Sequence, residues 1–140
     1  MNQTSENILA AYVDALRPII YINYFDFIAI DRIIKNIAGN DAKVVEFNNA
    51  LGAINFYNKS PQMDCDLEHF LKLSIDDGFE QNTFIVLKDV HGELEKSAII
   101  ALLKRIAEDN LYNEKYHCTV FIVSAKVVIP FELENYITIF

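Results

Sequence analysis

The chain has 140 residues, of which 52% are hydrophobic, and its formal net charge is −8. This length and apolar share predict one domain with a proper hydrophobic core and argue against disorder. The acidic balance argues against DNA, RNA and anionic membranes as partners. Cys65 and Cys118 lie far apart, no secretory segment opens the chain, and no apolar run approaches a membrane span. We therefore expect a cytoplasmic protein with reduced thiols.

The first half of the chain alternates between helical and strand patterns. In two stretches apolar residues recur every three or four positions, and these end before Pro18 and at Gly39. Short unbroken apolar runs follow each stretch and indicate strands buried on both faces. The predicted elements are a helix capped by Thr4 or Ser5, a strand at 19–22, a helix from its cap Asp26 to Gly39, and a strand at 43–47.

The regular period is lost between residues 48 and 64. Turn-forming residues are frequent there, yet Ile54, Phe56 and Tyr57 alternate enough for a small extra strand or hairpin at 48–62. We interpret Phe56 and Tyr57 as exposed aromatic residues and as candidates for a partner surface. The alternative is a hairpin that only covers a sheet edge.

The second half is organised around the run TFIVLKDV at 83–90. Its four consecutive apolar residues end abruptly at Lys88-Asp89, which is typical of a strand buried in a parallel sheet. Helical and strand patterns surround it. The predicted elements are a helix capped by Asp64 or Asp66 and closed near Gly78, this strand, a helix with the stripe Ile99, Leu102, Leu103 and Ile106, a strand at 119–123, a short turn at Pro130, and a strand at 136–140.

This alternation predicts an α/β fold with a five-stranded, mostly parallel sheet, helices on both faces and right-handed crossovers. The last predicted strand has no helix to cover Ile137, Ile139 and Phe140. We therefore expect these residues to be the N-terminal domain of a longer chain that continues beyond Phe140.

An acidic residue after the third of five strands invites comparison with P-loop NTPases. Their phosphate loop requires glycines, a lysine and a serine or threonine that holds magnesium. The corresponding turn, NYFDF at 23–27, contains none of these. Asp26 instead places a negative charge where a phosphate would lie. We predict no catalytic residue, cofactor or metal in this domain.

Four polar residues follow the predicted strands at the positions of a nucleotide site. Asp89 has the position of a magnesium-binding carboxylate, but the second acidic residue that would activate water is absent. The favoured interpretation is that Asp89 caps the turn into 93–96, while Lys88 neutralises it or points to solvent. Ser124 has the position of a polar sensor, or it finds a backbone partner at a strand end, which we favour. The candidates for a vestigial site are Asn23, Asp26, Asp89 and Ser124.

His91 lies close in sequence to Asp89 and Glu93, which raises the question of a metal site. No second histidine stands at a ligand spacing from it. We interpret His91 as a solvated loop histidine.

Several stretches match motifs of a known family: PIIYI at 18–22, FIVLKDVH at 84–91, FIVS at 121–124, and VVIPFELE at 127–134 leading into YITI at 136–139. With these the chain resembles the N-terminal domain of AAA-family ATPases of the conserved plastid and cyanobacterial open-reading-frame type. The resemblance implies a degenerate P-loop-like fold with strand order 5-1-4-3-2. It also implies a catalytic AAA module downstream, to which ATP and magnesium belong and which is the expected partner.

Two functions are compatible with these features. The preferred one is a non-catalytic regulatory or protein-interaction domain of an AAA-family ATPase. The alternative is an atypical receiver-like signalling domain with Asp89 as phosphoacceptor and Lys126 nearby. A receiver needs an acidic pair after its first strand, where this chain has Asn23-Tyr24.

Overall fold

A seven-stranded mixed sheet with helices on both faces organises residues 3–140, which the computed structural model describes. The strands are β1 (Ile19–Ile22), β2 (Lys43–Asn48), β3 (Gly52–Ile54), β4 (Pro61–Met63), β5 (Thr83–Lys88), β6 (Cys118–Val123) and β7 (Ile137–Ile139). The α-helices are α1 (Gln3–Asp14), α2 (Phe27–Ala38), α3 (Leu67–Asp77) and α4 (Ser97–Tyr112). Two 3₁₀-helices, His91–Glu93 and Phe131–Tyr136, connect the later elements.

The strand order is β4-β3-β2-β5-β6-β1-β7, so the sheet has seven strands where five were predicted, and its full order differs from the prediction. The difference lies at one edge, where the segment after β2 turns back twice and adds β3 and β4 as antiparallel strands. The other five strands are parallel, and their order β7-β1-β6-β5-β2 is the order 5-1-4-3-2 that the family resemblance implied for them. These two strands form the extra hairpin that the sequence indicated at 48–62, but three residues are too few for a clear period, so they were not counted in the predicted sheet.

Side-chain caps set the start of two helices as the sequence predicted. Asp26 accepts a hydrogen bond from the backbone N–H of Ala29 at 3.1 Å and begins α2. Asp66, the second of the two candidates, does the same for α3 through His69 N–H at 2.8 Å. Thr4 and Ser5 both lie inside α1, so the predicted cap of that helix was wrong.

The sheet separates two apolar layers, because side chains alternate between its faces. On one face Tyr21, Ile85 and Leu87 pack with residues of α3 and α4. On the other face Ile22, Val86 and Phe121 pack with residues of α1 and α2. Their strands β5 and β6 are buried along their whole lengths, as their unbroken apolar runs predicted.

The parallel register brings three strand ends together at one edge of the sheet. Ile22, the last residue of β1, pairs with Val123 of β6, and Val123 also pairs with Lys88 of β5. The residues that follow these ends are therefore neighbours in space. They include Asn23, Asp89 and Ser124, which lie far apart in the chain.

Candidate functional site

The turn after β1 ends in a side-chain cap at the N-terminus of α2. Its Asp26 carboxylate occupies the N-terminus of α2, where it receives the N–H of Ala29. Negative charge at a helix N-terminus is stabilised by the helix dipole, and the same position binds phosphate in nucleotide-binding folds. Phe25, which stacks on Tyr24 with ring centroids 5.0 Å apart, is 77% exposed. The turn thus presents an aromatic ring to solvent and a carboxylate to the helix.

Asn23 and Ser124 connect the ends of β1 and β6. The Asn23 side-chain amide nitrogen, oriented to satisfy its surroundings, donates to the carbonyl oxygens of Ser124 at 3.3 Å and Ala125 at 3.0 Å. The Ser124 side chain is fully buried, and its Oγ accepts the N–H of Lys126 at 3.2 Å. That backbone partner is the one that the favoured interpretation of Ser124 predicted.

Ser124 also joins β6 to the segment after β5. His91 Nδ1 lies 2.7 Å from Ser124 Oγ, so His91 is hydrogen-bonded and half-buried. The prediction of a solvated loop histidine was therefore wrong. The Ser124 hydroxyl can bond to both the Lys126 N–H and His91, since it accepts one hydrogen bond from the N–H and shares another with the imidazole.

Asp89 lies beside this network without a side-chain partner. Its backbone is in the left-handed region, with φ of 56°, and its N–H donates to Val123 O at 3.0 Å. The 3₁₀-helix that follows begins after Val90 and has no side-chain cap, so the predicted capping role was wrong. Among the residues that the structure describes, none forms a hydrogen bond or ion pair with the half-buried Asp89 carboxylate.

Tyr21 fixes the loop that follows β6. Its hydroxyl donates to Lys126 O at 2.5 Å and accepts the N–H of Val128 at 3.1 Å. Burial raises the pKa of Tyr21, and the hydrogen bonds from Val128 and Ser124 only partly offset this. The hydroxyl therefore stays protonated and keeps its donor role, which holds the loop against β1.

Lys88 makes neither of the contacts expected from the sequence. It is only 3% exposed, and its Nζ lies 2.7 Å from Asp31 Oδ1 and 3.3 Å from Glu46 Oε2. Lys59 completes the ring, because its Nζ lies 2.8 Å from Asp31 Oδ2 and 2.6 Å from Glu46 Oε1. We call these four residues the ionic ring; it contains two cations and two carboxylates and carries no net charge.

Two aromatic side chains enclose the ionic ring. Phe27 lies under Lys88, whose Nζ is 5.3 Å from the ring centroid, and Phe56 lies 4.4 Å from Lys59 Nζ. Such cation–π contacts strengthen when water is excluded. Phe56 is only 4% exposed, so its predicted exposure was wrong, whereas Tyr57 is 53% exposed as predicted.

The comparison with protein families gives an AAA-type affiliation. Residues 4–140 match the family model described as the N-terminal domain of SpoVK-like AAA ATPases. The chain belongs to that family. None of the curated proteins matches it significantly.

Two solved structures share the fold of this SpoVK-like N-terminal domain. One is titled a structure of Drosophila ORC bound to AT-rich DNA and Cdc6, with TM-score 0.57 and 8% identity, and the other is Saccharomyces cerevisiae RIF2, with TM-score 0.54 and 13% identity. Each comparison covers 99% of this chain but 52% and 54% of the other chain. The SpoVK-like domain thus spans about half the length of these two proteins, and the likeness concerns the fold alone.

The ionic ring is the part of the SpoVK-like domain that sequence reasoning missed. A weak signal was present, because Glu46 and Lys88 are charged residues in segments that otherwise predict buried strands. Asp31 and Lys59 gave no signal. They come from a helix and from an irregular segment, and only the tertiary fold brings them to the strands.

Two further observations concern residues 3–140. No group of three or more histidine, cysteine or carboxylate side chains in this range is arranged to hold a metal ion. Within the same range, every helix lacks the length or the apolar character that a membrane crossing requires.

Proposed function

We propose that the chain is a catalytically silent regulatory or protein-interaction domain at the N-terminus of an AAA-family ATPase. The observation that supports this proposal is the set of hydrogen bonds between the strand ends at the carboxyl edge of the sheet. Ligands of open α/β sheets bind at that edge, in the crevice between strand ends. In this chain Asn23 and His91 are each hydrogen-bonded to Ser124 at this edge.

The charge at this edge supports the same conclusion. A nucleotide phosphate would meet the Asp26 carboxylate at the N-terminus of α2, and no lysine of the turn would neutralise it. Lys88, the lysine nearest to Asp89 in sequence, is held within the ionic ring by two carboxylates. ATP and magnesium are then the ligands of the ATPase module, which is also the proposed partner.

The proposal includes two statements about the natural protein. It is a cytoplasmic polypeptide of the plastid and cyanobacterial type, and it continues into the catalytic module. An intact-mass measurement of the natural gene product tests the second statement. A mass several times the 16.1 kDa of this chain is expected, and a mass of 16.1 kDa would refute it.

The topology argues against the receiver-like alternative. Receiver-type folds have the strand order 2-1-3-4-5, which places the first strand next to the second. Here β1 pairs with β6 and β7, and β2 pairs with β5 and β3. Incubation with acetyl phosphate followed by mass analysis decides the point: we expect no labile phosphate, and a phosphate on Asp89 would revive the alternative.

Titration calorimetry with MgATP tests the central proposal. We expect no saturable heat from the 140-residue chain at millimolar MgATP. Saturable binding that Asp89→Asn abolishes would contradict the proposal. The matched control is Asp77→Asn, which removes an exposed carboxylate from the end of α3, away from the strand ends.

A further inference from the structure

The edge of β2 is only partly covered by β3. Lys43 N–H donates to Asn82 O at 2.9 Å and Asn49 N–H donates to Lys88 O at 3.0 Å, so the odd-numbered residues of β2 direct their backbone groups toward β5. Because these groups alternate along a strand, the even-numbered residues face β3. The pairing with β3 begins at Glu46, opposite Ile54. Val44 therefore directs its N–H and C=O beyond the end of β3.

The N–H and C=O of Val44 have no hydrogen-bond partner on this side, away from β5, among the described residues. Val44 is 8% exposed. The chain after Ile54 leaves the sheet plane, since Phe56 packs into the layer of α1 and α2. Unpaired N–H and C=O groups at a strand edge can pair with a strand of another chain.

A cavity of about 490 Å³ opens at this point. Its walls are largely apolar: Phe70 and Leu73 come from α3, Phe79 follows that helix, and Ile54 and Tyr57 come from the segment after β3. The volume lies within the range of sites that hold several side chains or a small ligand. Apolar walls beside a free strand edge are the features of β-strand addition, in which the backbone provides affinity and alternate side chains fill pockets.

We propose that the open edge of β2 at Val44 binds an extended, uncharged, apolar segment of a partner protein as an additional strand. One residue of the segment exchanges both backbone hydrogen bonds with Val44, and a neighbouring apolar side chain fills the cavity. This proposal rests on the proposed role as an interaction domain and names the mode of contact. The proposed binding site lies toward the edge of the sheet opposite β7. It is separate from the strand ends at which a nucleotide would bind.

The charges of the cavity favour an uncharged segment. Its lining contains one lysine, Lys43, and one carboxylate, Asp77, so it is neutral within a chain of net charge −8. The net negative charge of the chain repels an acidic segment. The lining does not attract a basic segment, because its one carboxylate is balanced by its one lysine. A neutral strand with apolar residues at alternate positions matches both the lining and the free backbone groups.

The probe is an array of capped pentapeptides, serine-X-threonine-X-serine, in which X is valine, leucine, isoleucine, phenylalanine or methionine. Binding to the 140-residue chain is measured by NMR titration, with Val44 N–H as the reporter. We expect at least one peptide to bind and to shift this amide downfield. N-methylation of successive peptide amides should weaken binding about tenfold at one position only, the residue that pairs with Val44, since a net hydrogen bond contributes about one power of ten.

Two variants of the chain test the same contact by changing the protein instead of the peptide. Val44→Pro removes the N–H that faces the cavity and leaves the bonds to β5 intact, while Ser74→Phe fills the cavity from α3. Each should weaken peptide binding about tenfold or more. Lys72→Phe is the matched control, because it adds the same ring to the exposed side of α3. Circular dichroism checks that each variant folds.

Each outcome decides the proposal. Sensitivity to N-methylation at a single position together with loss of binding in Ser74→Phe supports it. Binding without such a position, binding of an apolar small molecule such as anilinonaphthalene sulfonate in place of every peptide, or no binding at all overturns it. The MgATP titration above tests the proposed function separately, so failure of the peptides would leave that result unaffected.

Discussion

Lys88 and Glu46 are the most deeply buried charged residues of the ionic ring, with 3% and 1% exposure. Each has two oppositely charged neighbours within 3.3 Å, so the cost of removing them from water is offset only as long as the ring is complete. Replacement of one member leaves an uncompensated charge in the layer between α2 and the sheet. The ring therefore determines how β2, β5, α2 and the segment at 55–60 fit together.

Lys88→Met should destabilise the chain by about 3–5 kcal/mol, because Asp31 and Glu46 then share a single cation. The double variant Lys88→Met/Glu46→Leu should lose less than Lys88→Met alone, since a balanced Lys59–Asp31 pair remains. Urea unfolding measures both. Lys72→Met, which breaks an exposed pair with Glu68, is the control and should change little. A double variant less stable than the single one would contradict this account.

The pKa of Lys59 gives the ring a signature at alkaline pH. Burial lowers this pKa, but hydrogen bonds to Asp31 and Glu46 outweigh burial and raise it above the ordinary 10.5. A raised pKa contributes stability that is complete below the unfolded-state value and is lost as pH rises through the folded-state value. The stability difference between the wild type and Lys59→Met should therefore be largest near neutral pH and shrink above about pH 10.5. Urea unfolding at several pH values tests this, and a constant difference would contradict it.

The β3–β4 hairpin is the element that the sequence described least well. It combines three-residue strands with a register shift between Ala53 and Ile54. Gly52 begins it with φ of 80°, and a Cβ there would lie 2.8 Å from Met63 O. Lys59 and Phe56 then attach its loop to α2 through the ionic ring and the apolar layer. The hairpin is held by contacts remote in sequence, which no local pattern reveals.

Gly52→Ala should destabilise the chain by about 1–3 kcal/mol, because alanine disfavours this positive φ and its methyl group meets the Met63 carbonyl. Gly92→Ala is the matched control, since no atom lies within 4 Å of its added Cβ and its φ is not positive. Thermal unfolding of the two variants measures the difference. Equal midpoints would show that the close approach at Gly52 is absent in solution.

At the scale of the whole molecule, the net charge bears on whether nucleic acid is a partner. The fold is shared with a chain from a structure titled as ORC bound to AT-rich DNA, yet this chain carries a net charge of −8. Binding to nucleic acid requires cations that displace the counterions of the phosphates. The two lysines of the ionic ring, Lys59 and Lys88, are already paired with carboxylates. The common fold therefore does not imply a common ligand.

We expect no DNA binding by this chain. Fluorescence anisotropy of a labelled AT-rich duplex should stay constant up to about 100 μM protein at low salt, where even non-specific binders with ordinary affinity are detected. The measurement is repeated at higher salt. Binding that weakens with salt would contradict the argument from charge.

Local patterns in the sequence determined the α/β class, the helices that begin at Asp26 and Asp66, and the buried strands at β5 and β6. These features follow from nearest neighbours along the chain: a capping carboxylate, an apolar period or an unbroken apolar run. Only the tertiary structure decided the seven-strand order, the burial of Phe56, the ionic ring, the His91–Ser124 bond and the open edge at Val44. Each of these depends on groups brought together from distant parts of the chain, and their energies do not appear in any short window of residues.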